Sequence, residues 1–218
     1  LKKYDNSLNN KIDSFSKKLE IESFFLLIKD STDFSSNLVD FKLIERQIEK
    51  LIKAGLKNIE IPWSDKENWL DFVSNIKSKF PKINLGSASI TGKKSIDDSI
   101  KVGLNFSMMK FWDKDLLNYS NSKNHLLIPG INNIRDLKEA RDLNCKIIKI
   151  YPVKNKDQLI NISQYKEIDF IAAGGLSICD IKLYKSLGYK SLVIGNKGFI
   201  NKDVDPKIYK YLKNYRIK

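Results

Sequence analysis

The sequence predicts a single (β/α)8 barrel, of the kind called a TIM barrel, preceded by an extra N-terminal helix. Eight short apolar runs rich in β-branched residues recur about every 20–25 residues after the first gap. Helical patterns with one apolar face lie between these runs. Strands that alternate with helices pair in parallel, and eight such units close a barrel. The length of 218 residues suits one domain of this type.

The first predicted element is a helix over residues 1–20, in which Leu8, Phe15 and Leu19 repeat at helical spacing. We expect the barrel to occupy residues 21–218 as one domain, because no linker interrupts the alternation of strands and helices. The eight strands are predicted, in chain order, at Phe24–Ile28, Asn58–Ile61, Ile83–Ile90, Leu104–Met109, His125–Ile128, Ile147–Tyr151, Ile168–Ala173 and Ser191–Ile194.

The ends of the helices carry a repeated signal. Gly55, Gly103 and Gly188 each follow a helical pattern and precede a strand, and Asn144 occupies the equivalent place before the sixth strand. Glycine, or asparagine in its place, tolerates the left-handed backbone that closes a helix.

The alternative fold is an open doubly wound sheet. Its dinucleotide-binding version is disfavoured, because no Gly-x-Gly-x-x-Gly turn follows the first strand.

Composition argues against several classes of protein. The net charge of +13 comes almost wholly from scattered lysines, without basic runs interleaved with stacking aromatics, so we predict no nucleic-acid partner. We predict no membrane partner, since no apolar run approaches the roughly 18 residues of a membrane span. Cys145 and Cys179 lack metal-ligand spacing and are predicted to be buried small apolar residues. A cytoplasmic location is expected from this cysteine usage and from the absence of an apolar signal-peptide core.

Lys149 is the most informative residue, because it lies near the C-terminal end of the sixth predicted strand, where barrels hold their active sites. Its neighbours are Ile148 and Ile150. Burial of a lysine among apolar side chains favours the neutral amine, which can attack a ketone to form a Schiff base. The alternative is an outward-facing lysine whose stem passes along the helices. Strand alternation alone leaves both faces open.

Further polar residues stand at other predicted strand ends. Glu60, between two isoleucines, is a candidate proton carrier, although a structural ion pair is the alternative. Ser89 ends the third strand, and Pro129 follows the fifth. Asp97 and Asp98 lie in a predicted helix and are expected to face solvent.

A phosphate site is predicted after the last two strands. Gly174 and Gly175 follow the seventh strand, and Gly195 follows the eighth, with Lys197 two residues later. The loops at these two places in a barrel frequently bind phosphate through backbone N–H groups. His125 is the only histidine, and we interpret it as structural. No histidine–carboxylate cluster is present, so the sequence predicts no metal site.

Together these residues resemble the 2-keto-3-deoxy-6-phosphogluconate (KDPG) aldolase / 4-hydroxy-2-oxoglutarate aldolase family over residues 20 to 200. The family's strand-two glutamate corresponds to Glu60, and its Schiff-base motif Lys-Phe-Phe-Pro corresponds to residues 149–152. Three further family motifs match in the same order: Gly-Ala-Gly-Thr at Gly86–Ser89, Ile-Pro-Gly at Ile128–Gly130 and Thr-Gly-Gly-Ile-Ser at Ala173–Ser177.

The resemblance implies a carbon–carbon lyase of the class I aldolase type, with Lys149 forming an iminium on a 2-oxo acid. The substrate would be KDPG or 4-hydroxy-2-oxoglutarate, and the products pyruvate and an aldehyde. Glu60 would move protons, while Ser89, Pro129 and the glycine loops would contact the substrate. The resemblance implies a homotrimer, and the iminium chemistry needs no metal or other cofactor.

Several positions depart from the family pattern. Ser64 stands where the family has an arginine that holds the substrate carboxylate, and Lys197 replaces a serine of the phosphate loop. Lys110 or Lys154 could supply a compensating charge. The alternatives are therefore a degenerate barrel that binds a phosphorylated metabolite or a protein partner, and another phosphate-binding barrel enzyme such as an isomerase or synthase.

Overall fold

The computed structural model describes residues 6–28, 41–153 and 160–215, and within these ranges it forms a nearly closed barrel of parallel strands surrounded by helices. The strands are β1 (Phe24–Leu27), β2 (Asn58–Pro62), β3 (Asn84–Ile90), β4 (Phe106–Met109), β5 (Leu127–Ile128), β6 (Gly130–Ile131), β7 (Ile147–Ile150), β8 (Asp169–Ala173) and β9 (Ser191–Ile194). A small antiparallel hairpin of β10 (Phe199–Ile200) and β11 (Asp203–Val204) follows.

The helices alternate with the strands, as the sequence predicts. They are α1 (Asn6–Ile21), α2 (Phe41–Ala54), α3 (Glu67–Lys79), α4 (Lys93–Lys101), α5 (Lys114–Ser122), α6 (Ile134–Asp142), α7 (Ile181–Ser186) and α8 (Pro206–Tyr215). Short 3-10 turns cover Ile162–Gln164, Ile178–Asp180 and Asn196–Gly198. The predicted fold class, a (β/α)8 barrel with an additional N-terminal helix, is therefore confirmed.

The barrel closes at Pro129. The sheet order is β5-β4-β3-β2-β1-β9-β8-β7-β6, and its two end strands are consecutive in the chain on either side of this residue. Proline has no N–H to donate, which suits a position where the chain changes neighbours. Its carbonyl accepts the backbone N–H of Lys149 at 2.9 Å. The predicted fifth strand is thus two short pieces, one paired with β4 and the other with β7.

Helix α1 closes the amino-terminal end of the barrel. Its Phe15 ring lies 5.7 Å from that of Phe25 on β1 and 4.9 Å from that of Phe106 on β4. Gly86 on β3 is required beside this cluster, because a Cβ there would lie 2.3 Å from the Phe106 ring. A strand interior normally disfavours glycine, so its presence here reflects close packing of an aromatic ring.

The outer layer packs the helices against the strands. Trp69 of α3 is fully buried, and its Nε1–H donates to the Pro62 carbonyl at 2.7 Å. The expectation that both acidic residues of α4 face solvent is wrong for Asp98. It is 9% exposed and accepts hydrogen bonds from Trp63 Nε1 at 3.0 Å and Lys94 Nζ at 2.7 Å. The sequence did not indicate the indole donor, because Trp63 lies on the neighbouring β2–α3 connection.

The predicted helix ends adopt the expected backbone. Gly55, Gly103 and Gly188 have φ values of 108°, 70° and 97°, and Asn144 has a φ of 59°. These values lie in the left-handed region that glycine, and more rarely asparagine, occupies at low cost. Each of these residues therefore ends one helix and directs the chain into the next strand.

The predicted burial of the cysteines is wrong for Cys179, whose side chain is exposed, and Cys145 is half-buried. Cys179 lies in the 3-10 turn Ile178–Asp180 that leads into α7, where an apolar sequence context does not ensure burial. Burial raises the pKa of the Cys145 thiol to about 12. Among the described residues, no helix is both long and apolar enough to cross a membrane.

Candidate active site

A cavity of about 540 Å³ opens at the carboxyl-terminal mouth of the barrel. Parallel strands bring their C-terminal ends to this one rim, so residues distant in sequence meet there. The lining combines charged side chains, glycine backbone and an apolar wall, and comprises Leu27, Glu60, Ala88, Ser89, Lys110, Lys149, Tyr151, Pro152, Ala173, Gly174, Gly175, Leu176, Val193, Gly195, Asn196 and Lys197.

Lys149 points into the barrel. Its neighbours Ile148 and Ile150 pack in the outer core, whereas Ile147 belongs to the interior cluster, and strand alternation places Lys149 with Ile147. The side chain is 6% exposed, and its Nζ lies 5.8 Å from the centre of the Tyr151 ring. Burial lowers the pKa of the Lys149 amine to about 8, while the negative charge of Glu60 acts in the opposite direction. The amine is therefore closer to its neutral, nucleophilic form than an ordinary lysine.

Glu60 lies on the interior face of β2 and is 1% exposed. Its Oε1 has no hydrogen-bond partner among the described residues. Burial raises the pKa of the Glu60 carboxyl to about 7, although the charge of Lys149 partly opposes this shift. The carboxyl can thus both hold and release a proton near neutral pH, and its unpartnered oxygen faces no competing donor. Such a pair of perturbed groups in one cavity is typical of a catalytic site.

The opposite side of the mouth presents backbone donors. The N–H groups of Gly174, Gly175, Asn196 and Lys197 form no hydrogen bond within the described residues. Gly174 and Gly175 have φ values of 112° and 65°, which turn the chain back across the strand ends. A Cβ at Gly174 would lie 2.9 Å from the Cα of Pro152, so glycine is also required for space. Free N–H groups and an exposed Lys197 beside them suit an anion.

The other predicted residues are distributed unevenly. Ser89 lines the cavity with an exposed side chain and a φ of 61°. Pro129 does not line it, because this residue lies at the β5–β6 junction and contributes its carbonyl to Lys149. Ser64 is half-buried and does not line the cavity, whereas Lys110 does. Lys154 falls outside the described residues.

A buried chain of hydroxyl groups leads to His125, outside the cavity. Ser99 uses its one hydroxyl proton to donate to the Ser95 carbonyl at 2.7 Å. In the 2.8 Å hydrogen bond between Ser87 and Ser99, Ser87 is therefore the donor. Ser107 then donates to Ser87 at 2.7 Å, and its oxygen accepts the Nε2–H of His125 at 2.8 Å. Burial lowers the pKa of His125 to about 4. The histidine is therefore a neutral donor in a buried network, which agrees with its interpretation from the sequence as a structural residue.

Sequence reasoning missed the apolar wall of the cavity, formed by Leu27, Leu176 and Val193. The alternation of side chains along β1 and β9 could have indicated it. Leu27 lies on the same strand face as Phe25, and Val193 lies on the same face as Ser191. The wall matters because it makes part of the cavity that Lys149 also lines apolar, and apolar surroundings favour the neutral amine. Nothing in the sequence indicated that Pro129, predicted to contact the substrate, would lie outside the cavity lining.

Comparison with known proteins gives a family. A family model described as "Aldolase: KDPG and KHG aldolase" matches residues 37–209. The chain is 26% identical over 141 residues to a 2-dehydro-3-deoxy-phosphogluconate aldolase of Pseudoalteromonas atlantica. That match covers 63% of this chain and spans 65% of the length of the relative.

Solved structures share the architecture. A KDPG aldolase from Legionella pneumophila, with pyruvate captured as a covalent carbinolamine intermediate, has a TM-score of 0.72 and 13% identity, covering 92% of this chain and 95% of that one. The 2-keto-3-deoxy-6-phosphogluconate aldolase of Zymomonas mobilis, with 3-phosphoglycerate, has a TM-score of 0.73 and 20% identity, covering 94% of both chains. At these identities the likeness supports the fold.

Proposed function

Because the chain belongs to the KDPG and KHG aldolase family, we propose that it is a carbon–carbon lyase, specifically a Schiff-base aldolase that cleaves a 2-oxo acid to pyruvate and an aldehyde. The observation that carries the proposal is the burial of Lys149 and Glu60 in one cavity, with both pKa values shifted toward neutrality. KDPG and 4-hydroxy-2-oxoglutarate are the proposed substrates.

The reaction begins with attack of the neutral Lys149 amine on the C2 carbonyl of the substrate. The carbonyl oxygen takes up a proton, giving a carbinolamine, and then leaves as water to form an iminium. A base removes the proton of the C4 hydroxyl, and the C3–C4 bond breaks. Its electron pair moves to the iminium nitrogen, so an enamine forms and the aldehyde departs. Protonation of the enamine at C3 and hydrolysis by water release pyruvate and regenerate the amine.

Glu60 is proposed to carry these protons. A carboxyl with a pKa of about 7 is divided between its two forms near neutral pH, so it can donate to the carbinolamine hydroxyl and accept from the C4 hydroxyl. Glu60 lines the cavity, and its Oε1 is not held by a hydrogen bond from any described residue, so the carboxyl is not committed to another partner at that oxygen. The iminium serves as the electron sink, and we propose that neither a metal nor another cofactor takes part.

The lowered pKa of Lys149 contributes directly to the rate of the first step. A lysine with its ordinary pKa of 10.5 is almost wholly protonated at pH 7, whereas one with a pKa of about 8 has roughly a tenth of its molecules neutral. The neutral fraction therefore rises by roughly 300-fold. Burial of the amine is the main cause of this gain.

A phosphate or carboxylate of the substrate is proposed to bind the glycine loops. The free N–H groups at Gly174, Gly175 and Asn196 supply donors, and Lys197 adds a positive charge. Ser89 lies on the rim of the same cavity and is proposed to donate to the bound substrate. Ser64 cannot supply the positive charge that the family's arginine provides. Lys110 lines the cavity and is proposed to hold the substrate's C1 carboxylate instead.

The proposal is tested by borohydride reduction in the presence of pyruvate, followed by peptide mapping. Reduction of the iminium should fix pyruvate on the peptide that contains Lys149. Lys149→Met should abolish the adduct, whereas Lys146→Met, which removes an exposed lysine three residues earlier, should leave it unchanged. Glu60→Gln should slow adduct formation without preventing it, because the nucleophile remains.

Absence of an adduct from the wild-type protein, under conditions that label another member of the family, would contradict the proposal. The protein would then be better explained as a degenerate barrel that binds a phosphorylated metabolite. We further propose a homotrimer in the cytoplasm, which light scattering of the purified protein and fractionation of cells would test.

A further inference from the structure

A second cavity, of about 510 Å³, lies at the opposite, amino-terminal end of the barrel. One side of it is formed by α1, whose Lys11, Ser14 and Lys18 lie on a single face at intervals of three and four residues. The other side is formed by Asn84, which begins β3, and Asn105, which precedes β4. Among the described residues that line this cavity, none is acidic.

The positive charge at this cavity is not neutralised. Lys11 and Lys18 line it, and Lys77 reaches its edge by donating to Asn105 Oδ1 at 2.7 Å. None of the three has a carboxylate within 4.0 Å among the described residues. Burial, and then the charge of Lys18, lower the pKa of Lys77, which means that these two cations repel each other. An anion bound beside Lys18 would relieve that repulsion.

Asn105 can donate into the cavity, whereas Asn84 presents its Oδ1, because the Asn84 amide donates to Asn58 Oδ1 at 2.8 Å. The Oδ1 of Asn105 already accepts from Lys77 and from the backbone N–H of Leu85 at 3.2 Å, so its amide NH₂ remains to donate. Within the described part of the chain, the Lys18 ammonium is held only by a 3.5 Å contact with Asn84 Oδ1, which is long for a hydrogen bond. Its ammonium can therefore reorient toward a ligand at little cost.

We propose that this cavity binds a phosphorylated small molecule, with the phosphate group between Lys18, Lys11 and the Asn105 amide. Inorganic phosphate alone would leave most of the 510 Å³ cavity unfilled. A water molecule occupies about 30 Å³ in the liquid, and the phosphate ion has only five non-hydrogen atoms. Phe15 and Leu126 form the apolar part of the lining and would contact the carbon skeleton. This site is independent of the Lys149 chemistry proposed for the mouth.

The test is a titration of the full chain with inorganic phosphate and with glycerol 3-phosphate, followed by amide NMR at low salt. We expect saturable shifts of the Asn84 and Asn105 side-chain amides, with tighter binding of glycerol 3-phosphate. Lys18→Gln should weaken binding by about tenfold or more, as expected for loss of a charge-assisted hydrogen bond. Lys17→Gln is the matched control, because it removes an exposed lysine that does not line the cavity.

Two further measurements separate this site from the mouth and from general surface charge. Lys197→Ala and Lys149→Met should leave the Asn84 and Asn105 shifts unchanged, so failure of the aldolase proposal would not affect the result. The inference is overturned if these two amides do not shift. It is also overturned if Lys17→Gln weakens binding as much as Lys18→Gln, or if inorganic phosphate binds as tightly as glycerol 3-phosphate.

Discussion

Replacement of Lys149 by methionine should stabilise the fold while removing the proposed nucleophile. The side chain is almost fully buried, and burial lowers its pKa from 10.5 to about 8. A shift of that size corresponds to about 3 kcal/mol by which the folded state disfavours the charged amine. Methionine has a similar length and no charge, so it should recover about 1–3 kcal/mol of the free energy of unfolding at pH 7. Glu60, without its cation, then stays protonated.

The dependence on pH provides the sharper check. Between pH 8 and 10.5, the folded state has released the Lys149 proton, but the unfolded chain has not. Wild-type stability from this group therefore rises with pH across that window. The advantage of Lys149→Met should accordingly be largest at pH 7 and should shrink toward zero by pH 10. Glu60 has the opposite effect in the wild type, because its raised pKa makes stability fall as pH rises from 4.5 to about 7.

The assay is urea unfolding of wild type, Lys149→Met and Lys146→Met at pH 7 and pH 9.5, with free energies from linear extrapolation. Lys146 is exposed, so its replacement should change stability by less than about 0.5 kcal/mol. A loss of more than about 1 kcal/mol in Lys149→Met at pH 7 would refute the reasoning, since it would mean that the lysine stabilises the barrel. A gain that is the same at both pH values would refute the assignment to ionisation.

Three further predictions follow from the packing and the buried groups. Gly86→Ala should lower the free energy of unfolding in urea by about 1–3 kcal/mol, because its Cβ would overlap the Phe106 ring; Gly92→Ala, which meets no atom within 4 Å, is the control and should lose less than 1 kcal/mol. His125, the single histidine, should show the ¹⁵N chemical shifts of the neutral Nε2–H tautomer and should not titrate between pH 8 and 5. In the wild-type protein this group should lower the free energy of unfolding by up to about 3 kcal/mol as pH drops from 6.5 to 4, because only the unfolded chain takes up the proton in that range. Gly174→Ala should strain a φ of 112° and press on Pro152, lowering both stability in urea and the rate of borohydride trapping; trapping at the wild-type rate would contradict the proposed role of this loop.

The sequence by itself determined the order of strands and helices and the positions where helices end. Apolar periodicity and glycine placement are local properties, so Gly55, Gly103 and Gly188 could be assigned to helix ends without knowledge of the fold. The family motifs then indicated Lys149 and Glu60. A short motif can indicate such residues because successive side chains on a strand point to opposite faces, so the motif fixes which of its residues share a face.

Only the tertiary structure decided which face of each strand points inward and which strand ends meet. Alternation left Lys149 free to face either the helices or the barrel, and closure of the sheet placed it inside with Glu60. Pro129, predicted at the cavity, instead joins β5 to β6, since barrel closure required a change of pairing at that residue. The burial of Asp98 and the cavity beneath α1 likewise depend on contacts between segments far apart in the chain, which no local pattern encodes.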